Sequence, residues 1–220
     1  MQAQPEQKHP KQKQRIVLFG GQGSQTLFSD TAFAAIKHIA STSAAAAIFV
    51  SRCHAAFLEE YLSLTPPEQQ LLGVDLNTLH DQSAFLAPGK DQQCNGLIQS
   101  TTICLYQILL YIAEAEQSPV KVGGLTGQIR ETTGLCSGLI PAAVIASSST
   151  LVDVLNYGVE AFRVAFWTAY RVVLEGQKQA GDLDKQDTWS LAVLGLSLFQ
   201  VEEQLKEFCA QVGVSAMLAL

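Results

Sequence analysis

The most constraining stretch of this chain is Gly134-Leu135-Cys136-Ser137-Gly138, a G-x-C-x-G pentapeptide. It lies between a short strand candidate, Glu131 to Leu135, and an Ala-rich helical signal carrying Leu139, Ile140, Ala143, Val144 and Ala146. A strand that turns sharply into a helix crowds its own backbone, so a Cβ two residues to either side of the apex would clash and glycine is needed at both places. The same turn pushes the side chain between the glycines outward, where it can meet a substrate. Pro141 falls in the first helical turn, where a missing N–H is harmless. The helix dipole and free N–H groups at such a position favour the thiolate of Cys136, the nucleophilic form. Free cysteine is also among the most buried residue types, so the pentapeptide is equally compatible with a small apolar side chain filling a tight turn.

A second strand-to-loop signature opens the ordered part of the chain. Ile16, Val17, Leu18 and Phe19 form a continuous apolar run, the pattern of a buried parallel strand, and Gly20-Gly21-Gln22-Gly23-Ser24-Gln25 follows. Such a loop can cradle phosphate or aim a backbone N–H into an active site. The dinucleotide fingerprint fails, because Thr26 stands where the third glycine belongs and Ala44 to Ala47 occupy the region of the expected acidic residue.

Around these two turns the chain reads as α/β. Residues 1–14 are Gln- and Lys-rich without an apolar centre, a solvated tail rather than a secretory signal. Two helices are predicted between Asp30 and Leu62, broken near Ser41-Thr42-Ser43, with Thr65-Pro66-Pro67 closing the block. A short helix around Glu68 to Leu72 and a polar segment from Asp81 to Asn95 lead to a long buried helix over Leu97 to Ala115. Ser118 to Arg130 is predicted as a connection, Leu151 to Glu175 as an amphipathic helix and Gly176 to Asp187 as a polar linker. Beyond it, Leu191 to Leu194, Val201 to Val212 and Val214 to Leu220 read as strand, helix and strand. The expected organisation is a tail (1–14), a core (15–187) and an incomplete subdomain (188–220).

Composition narrows the function. The 220 residues are 48% hydrophobic and carry a formal charge of −6, so a polyanion is an unexpected partner and nucleic-acid binding is disfavoured. The apolar stretch from Gly96 to Ala113 is interrupted by Gln99, Ser100, Thr101, Thr102 and Gln107, too polar for a membrane span. Five scattered cysteines without a C-x-x-C pair suggest neither a zinc cluster nor a disulfide framework, and point to a reducing cytoplasm.

Gly21-Gln22-Gly23-Ser24-Gln25 after the first strand and G-x-C-x-G before an Ala-rich helix together resemble the acyltransferases that load acyl groups in fatty acid and polyketide synthesis. More specifically, Gly134-Leu135-Cys136-Ser137-Gly138-Leu139-Ile140-Pro141-Ala142-Ala143, followed by Gly158-Val159-Glu160-Ala161-Phe162-Arg163-Val164-Ala165-Phe166, looks like the starter-unit acyltransferase domain of fungal non-reducing polyketide synthases. The resemblance runs from about Arg15 to the end of the chain. It implies an acyltransferase fold, with an α/β-hydrolase-like parallel-sheet core and the first half of a ferredoxin-like subdomain. It implies ping-pong transfer from acyl-CoA to the phosphopantetheine arm of an acyl carrier protein through a Cys136 thioester, with no bound cofactor and no metal. The oxyanion-hole donors would be the backbone N–H groups of Ser137 and Gln22, and Gln99 matches a family glutamine lining the pocket. Leu135 stands where malonyl-selecting relatives carry His, and Arg163 matches their carboxylate-binding Arg only loosely, which implies an uncharged acyl starter.

One departure concerns the base. The family's catalytic His lies well downstream of the nucleophile, whereas His9, His38, His54 and His80 all precede Cys136. The β-α-β unit from Leu191 to Leu220 looks like the first half of the ferredoxin-like subdomain, so the sequence is expected to stop within it, and the alternative to an active enzyme is a truncated, catalytically silent relative. A Cys-type α/β-hydrolase shares the elbow but lacks the same His and leaves the glycine loop unexplained.

Overall fold

The computed structural model describes residues 15–21, 28–117, 129–180 and 197–212. Two strands, β1 (Arg15–Phe19) and β2 (Ile129–Gly134), pair in parallel with Phe19 opposite Gly134. Parallel neighbours need a crossover connection, and here the described residues of the crossover form seven helices. The architecture is mostly helical with a small parallel sheet, in keeping with the α/β expectation at that level.

The helices start and stop where side chains can satisfy backbone groups. Ser29 caps α1 (Asp30–Thr42) by accepting from the Ala32 N–H. Ser43 ends α1 by donating its N–H to the Ile39 carbonyl, and begins α2 (Ala44–Ser63) by accepting from the Ala46 N–H at 2.9 Å. The break predicted at Ser41-Thr42-Ser43 is thus a double cap. Thr65-Pro66-Pro67, read as the end of a block, instead opens α3 (Pro66–Leu72): Thr65 and Glu68 form a capping box, and the prolines take the first helical positions. Three short helices follow, α4 (Leu76–Leu79), α5 (Gln82–Leu86) and α6 (Lys90–Gln93).

The core is built around α7 (Gly96–Gln117). This helix is buried nearly all round, and by length and composition it would pass as a membrane span; 78% of its most apolar window is buried inside the protein, which makes it a core helix. Its expected interruptions are themselves buried: Ser100, Thr101, Thr102 and Gln107 all lie in the interior. Thr101 satisfies its hydroxyl on the Leu97 carbonyl one turn back. α9 (Leu151–Ala180) crosses the same core at Gly158, where a Cβ would come within 2.8 Å of the Phe49 ring of α2 and 3.4 Å of Ile108 of α7. Phe57 meets Phe166 and Phe85 meets Phe162 edge to face while Phe57 and Phe85 lie tilted, at ring separations of 5.6 to 6.0 Å.

Two differences from the sequence reading concern β1 and α9. Val17 and Phe19 face inward, but Ile16 and Leu18 are 64% and 73% exposed, because among the described residues the pair packs on α8 (Leu139–Ser147) with the opposite side chains left outside. α9 continues through Gly176 to Ala180, so the first part of the predicted linker is helical. The chain divides into two compact units, residues 1–175 and 176–220. In the second, α10 (Leu198–Val212) realises the amphipathic helix expected there. The strands expected at 191–194 and 214–220 lie outside the described residues.

Candidate active site

β2 ends at Gly134, a 3-10 turn spans Cys136–Gly138, and α8 begins at Leu139. At its apex Cys136 adopts φ +54°, alone among the described non-glycine residues in the left-handed region. An L-residue there carries strain of about 1–2 kcal/mol, and such strain is concentrated at functional turns. The surrounding packing maintains it. A Cβ on Gly134 would lie 2.1 Å from the Gly138 carbonyl oxygen, and one on Gly138 would lie 2.5 Å from the Phe19 oxygen and 2.6 Å from the Gly20 oxygen. A Cβ on Gly21 would lie 2.8 Å from the Leu135 oxygen and 2.9 Å from Cys136 Cβ. Both glycine loops are therefore pressed against each other, joined by the Leu135 N–H donating to the Phe19 carbonyl at 3.0 Å. The Gly138 N–H closes the elbow on the Leu135 carbonyl at 2.9 Å.

Cys136 is exposed, as the elbow argument requires, and so is Leu135 beside it. Ser137 occupies the second place of the 3-10 turn, among the first N–H groups, which a helix leaves without an intrahelical acceptor. Its hydroxyl is buried without a partner among the described residues. Leu135, Cys136 and Ser137 thus come together as one surface feature, while Gln22 lies outside the described residues.

The other expected site residues are engaged elsewhere. Gln99 donates from Nε2 to the Gln93 carbonyl at 2.7 Å, tying α6 to α7. Arg163 faces α2, where hydrogen bonds to Glu59 and then Glu60 hold its guanidinium pKa above the ordinary value. A surface depression bordered by Arg163, Trp167 and Arg171 lies on this side of α9, and none of its lining residues belongs to the elbow. His54 is bound through Nε2 to the Leu79 carbonyl at 2.7 Å and packs on Phe85.

The sequence reading passed over Gln107. This side chain, 8% exposed, donates from Nε2 to the Gly20 carbonyl at 2.7 Å, joining α7 to the loop beneath Cys136. A lone glutamine on a buried, otherwise apolar helical face was the available signal. The cysteines separate cleanly as well. Burial pushes the Cys104 thiol up to about 12 and raises Cys53 well above its ordinary value, so neither is a nucleophile at neutral pH.

A family model described as starter unit:ACP transacylase in aflatoxin biosynthesis matches residues 17–219. The chain belongs to the starter unit:ACP transacylase family. Among its relatives, the orsellinic acid synthase ArmB of Armillaria ostoyae is 29% identical over 203 residues, covering 88% of the chain and 9% of the synthase. The non-reducing polyketide synthase PKS1 of Zymoseptoria tritici is 24% identical over 76% of the chain and 7% of its own length. The non-reducing polyketide synthase aoiG of Aspergillus oryzae is 34% identical over 50% of the chain and 5% of its own length. The chain thus spans less than a tenth of the length of each of these synthases.

Proposed function

We propose that this chain performs starter-unit acyl transfer in fungal polyketide biosynthesis, accepting an acyl group from acyl-CoA on Cys136 and delivering it to an acyl carrier protein in the cytoplasm. The observation that carries this reading is the left-handed, exposed Cys136 at the tip of a glycine-packed strand-to-helix turn. In the first half-reaction the Cys136 thiolate attacks the thioester carbonyl carbon. The carbonyl oxygen gathers charge in the tetrahedral intermediate, then the C–S bond to coenzyme A breaks and its sulfur leaves with the electron pair. The Ser137 N–H, with that of Gln22 as expected second donor, stabilises the intermediate, each by about 2.7–4 kcal/mol. In the second half-reaction the phosphopantetheine thiolate attacks the Cys136 thioester and Cys136 leaves as thiolate. The transfer exchanges one thioester for another, so no cofactor is consumed. Exposed Leu135 next to the nucleophile favours an uncharged acyl group.

A second reading is a transacylase-like chain that does not turn over. It is favoured by His54, a partly buried imidazole held on the Leu79 carbonyl. Intact mass after incubation with short acyl-CoA thioesters separates the two. An adduct lost in Cys136→Ala and retained in Ser137→Ala, which keeps the backbone N–H, supports acyl loading; its discharge by a phosphopantetheinylated carrier protein completes the case. An adduct that persists with the acceptor supports the second reading, and no adduct on folded protein refutes the first.

A further inference from the structure

We infer that Gln107 is a positioning residue for the acyl-transfer site proposed above, acting by locking the Gly20–Gly21 peptide against the nucleophile turn; the inference rests on that reading for its catalytic consequence. Nε2 of Gln107 lies 2.7 Å from the Gly20 carbonyl oxygen. A carbonyl can only accept, so the amide must present its NH2 group to it, and Oε1 is left buried without a partner among the described residues. One side chain, more than nine-tenths buried, is therefore held in an unfavourable environment for the sake of a single donated bond.

What that bond fixes is a peptide between two glycines. The trans peptide is planar, with its C=O and N–H pointing in opposite directions, so anchoring the Gly20 oxygen on α7 sets the direction of the Gly21 N–H. Neither flanking residue has a Cβ, so their own backbone preferences do not fix the orientation of this unit and an external anchor is needed. The unit also lies where orientation matters. The α-carbon of Gly21 packs on Leu135 and Cys136, and that of Gly138 packs on the Phe19 and Gly20 carbonyls. Anchored, the negative end of the Gly20 carbonyl dipole stays turned to α7. Released, it is free to rotate toward the side where acyl transfer builds negative charge, which opposes the transition state.

Two variants test this. Gln107→Leu removes the donor with little change in volume, and Gln107→Glu keeps the shape while replacing the NH2 by an acceptor. Thermal unfolding identifies which of them folds. In single-turnover acylation by acetyl-CoA, the folded variant is expected to lose about 100-fold in maximal rate at unchanged half-saturation, the scale of a misplaced catalytic framework. Alkylation of Cys136 by iodoacetamide forms no oxyanion and is expected to stay within about twofold, because the thiol and its elbow are untouched. Amide nitrogen relaxation at Gly21 is expected to show one orientation in wild type and exchange broadening in the variant. Equal loss of acylation and alkylation would mean that Gln107 merely supports the fold, and would overturn the inference. So would unchanged acylation together with an unbroadened Gly21 signal. If wild type itself is not acylated, the acyl-transfer reading fails, and Gly21 relaxation still decides whether Gln107 locks the peptide.

Discussion

Replacing Gly134 by alanine tests the elbow most directly, because the clash it creates is with backbone alone. The new Cβ would sit 2.1 Å from the Gly138 oxygen, 2.3 Å from its carbonyl carbon and 2.5 Å from the Leu139 nitrogen, against 3.4–4 Å for ordinary contact. No rotamer can relieve this. The turn must widen, loosening the Gly138 N–H bond to the Leu135 carbonyl and the close approach of Gly138 to Phe19 and Gly20. Overpacking of this kind lies at or above the top of the usual range, about 3 kcal/mol. For a unit of this size that lowers the melting temperature by about 6–12 °C. Two comparison variants separate lack of space from backbone conformation. Gly73, at φ +62° with nothing within 4 Å, should lose only about 1 kcal/mol as alanine, from the left-handed conformation. Gly176, helical with nothing within 4 Å, should gain about 0.5–1 kcal/mol from reduced unfolded-state entropy. Melting curves followed by circular dichroism give the order directly. A Gly134→Ala melting temperature no lower than that of Gly73→Ala would refute the account of a sterically closed turn.

The remaining predictions concern thiols and acid. Brief treatment of the native chain with iodoacetamide should label exposed Cys136 and Cys94, and spare Cys53 and Cys104, whose burial disfavours the thiolate; peptide mapping reads the pattern, and labelling of Cys104 before unfolding would contradict the burial described. Hydrogen bonds from Tyr170, and then from Thr65, lower the Glu68 carboxyl to about 2 from an ordinary 4.5. Because the folded value is depressed, its contribution is full above 4.5 and disappears as the pH falls toward 2. Glu68→Gln should accordingly flatten the stability-versus-pH curve in that window, measured by denaturant titration, and an unchanged acid limb would contradict the coupling.

The elbow was legible because its requirement is local: glycines two residues to either side of Cys136 meet a steric demand that any sharp strand-to-helix turn makes. The double cap at Ser43 was legible for the same reason. The Thr65-Pro66-Pro67 segment misled because proline both ends and begins helices, and the deciding partner, Glu68 three residues on, had to be weighed with Thr65 as one capping box. Gly176 suggested a linker, yet a single glycine in an exposed helical turn is tolerated when the neighbouring turns hold. Long-range partners left no trace in the local pattern. Arg163 meets Glu59 and Glu60 more than a hundred residues earlier, and Gln107 meets Gly20 across 87 positions. A polar residue in an apolar helix signals that some partner exists, without naming it.

The parallel pairing of β1 with β2 has a consequence for how the chain matures. Phe19 and Gly134 are neighbours in the sheet but more than a hundred residues apart along the polypeptide. Until the intervening helices have folded, the first glycine loop has no surface to press on and nothing holds Cys136 in its left-handed conformation. The ribosome thus releases β1 long before its partner exists, and the high sequence separation makes closure a late, slow event. The left-handed turn at Cys136 is therefore a feature of the completed chain alone, absent from any nascent or misfolded one in which β1 and β2 have not met.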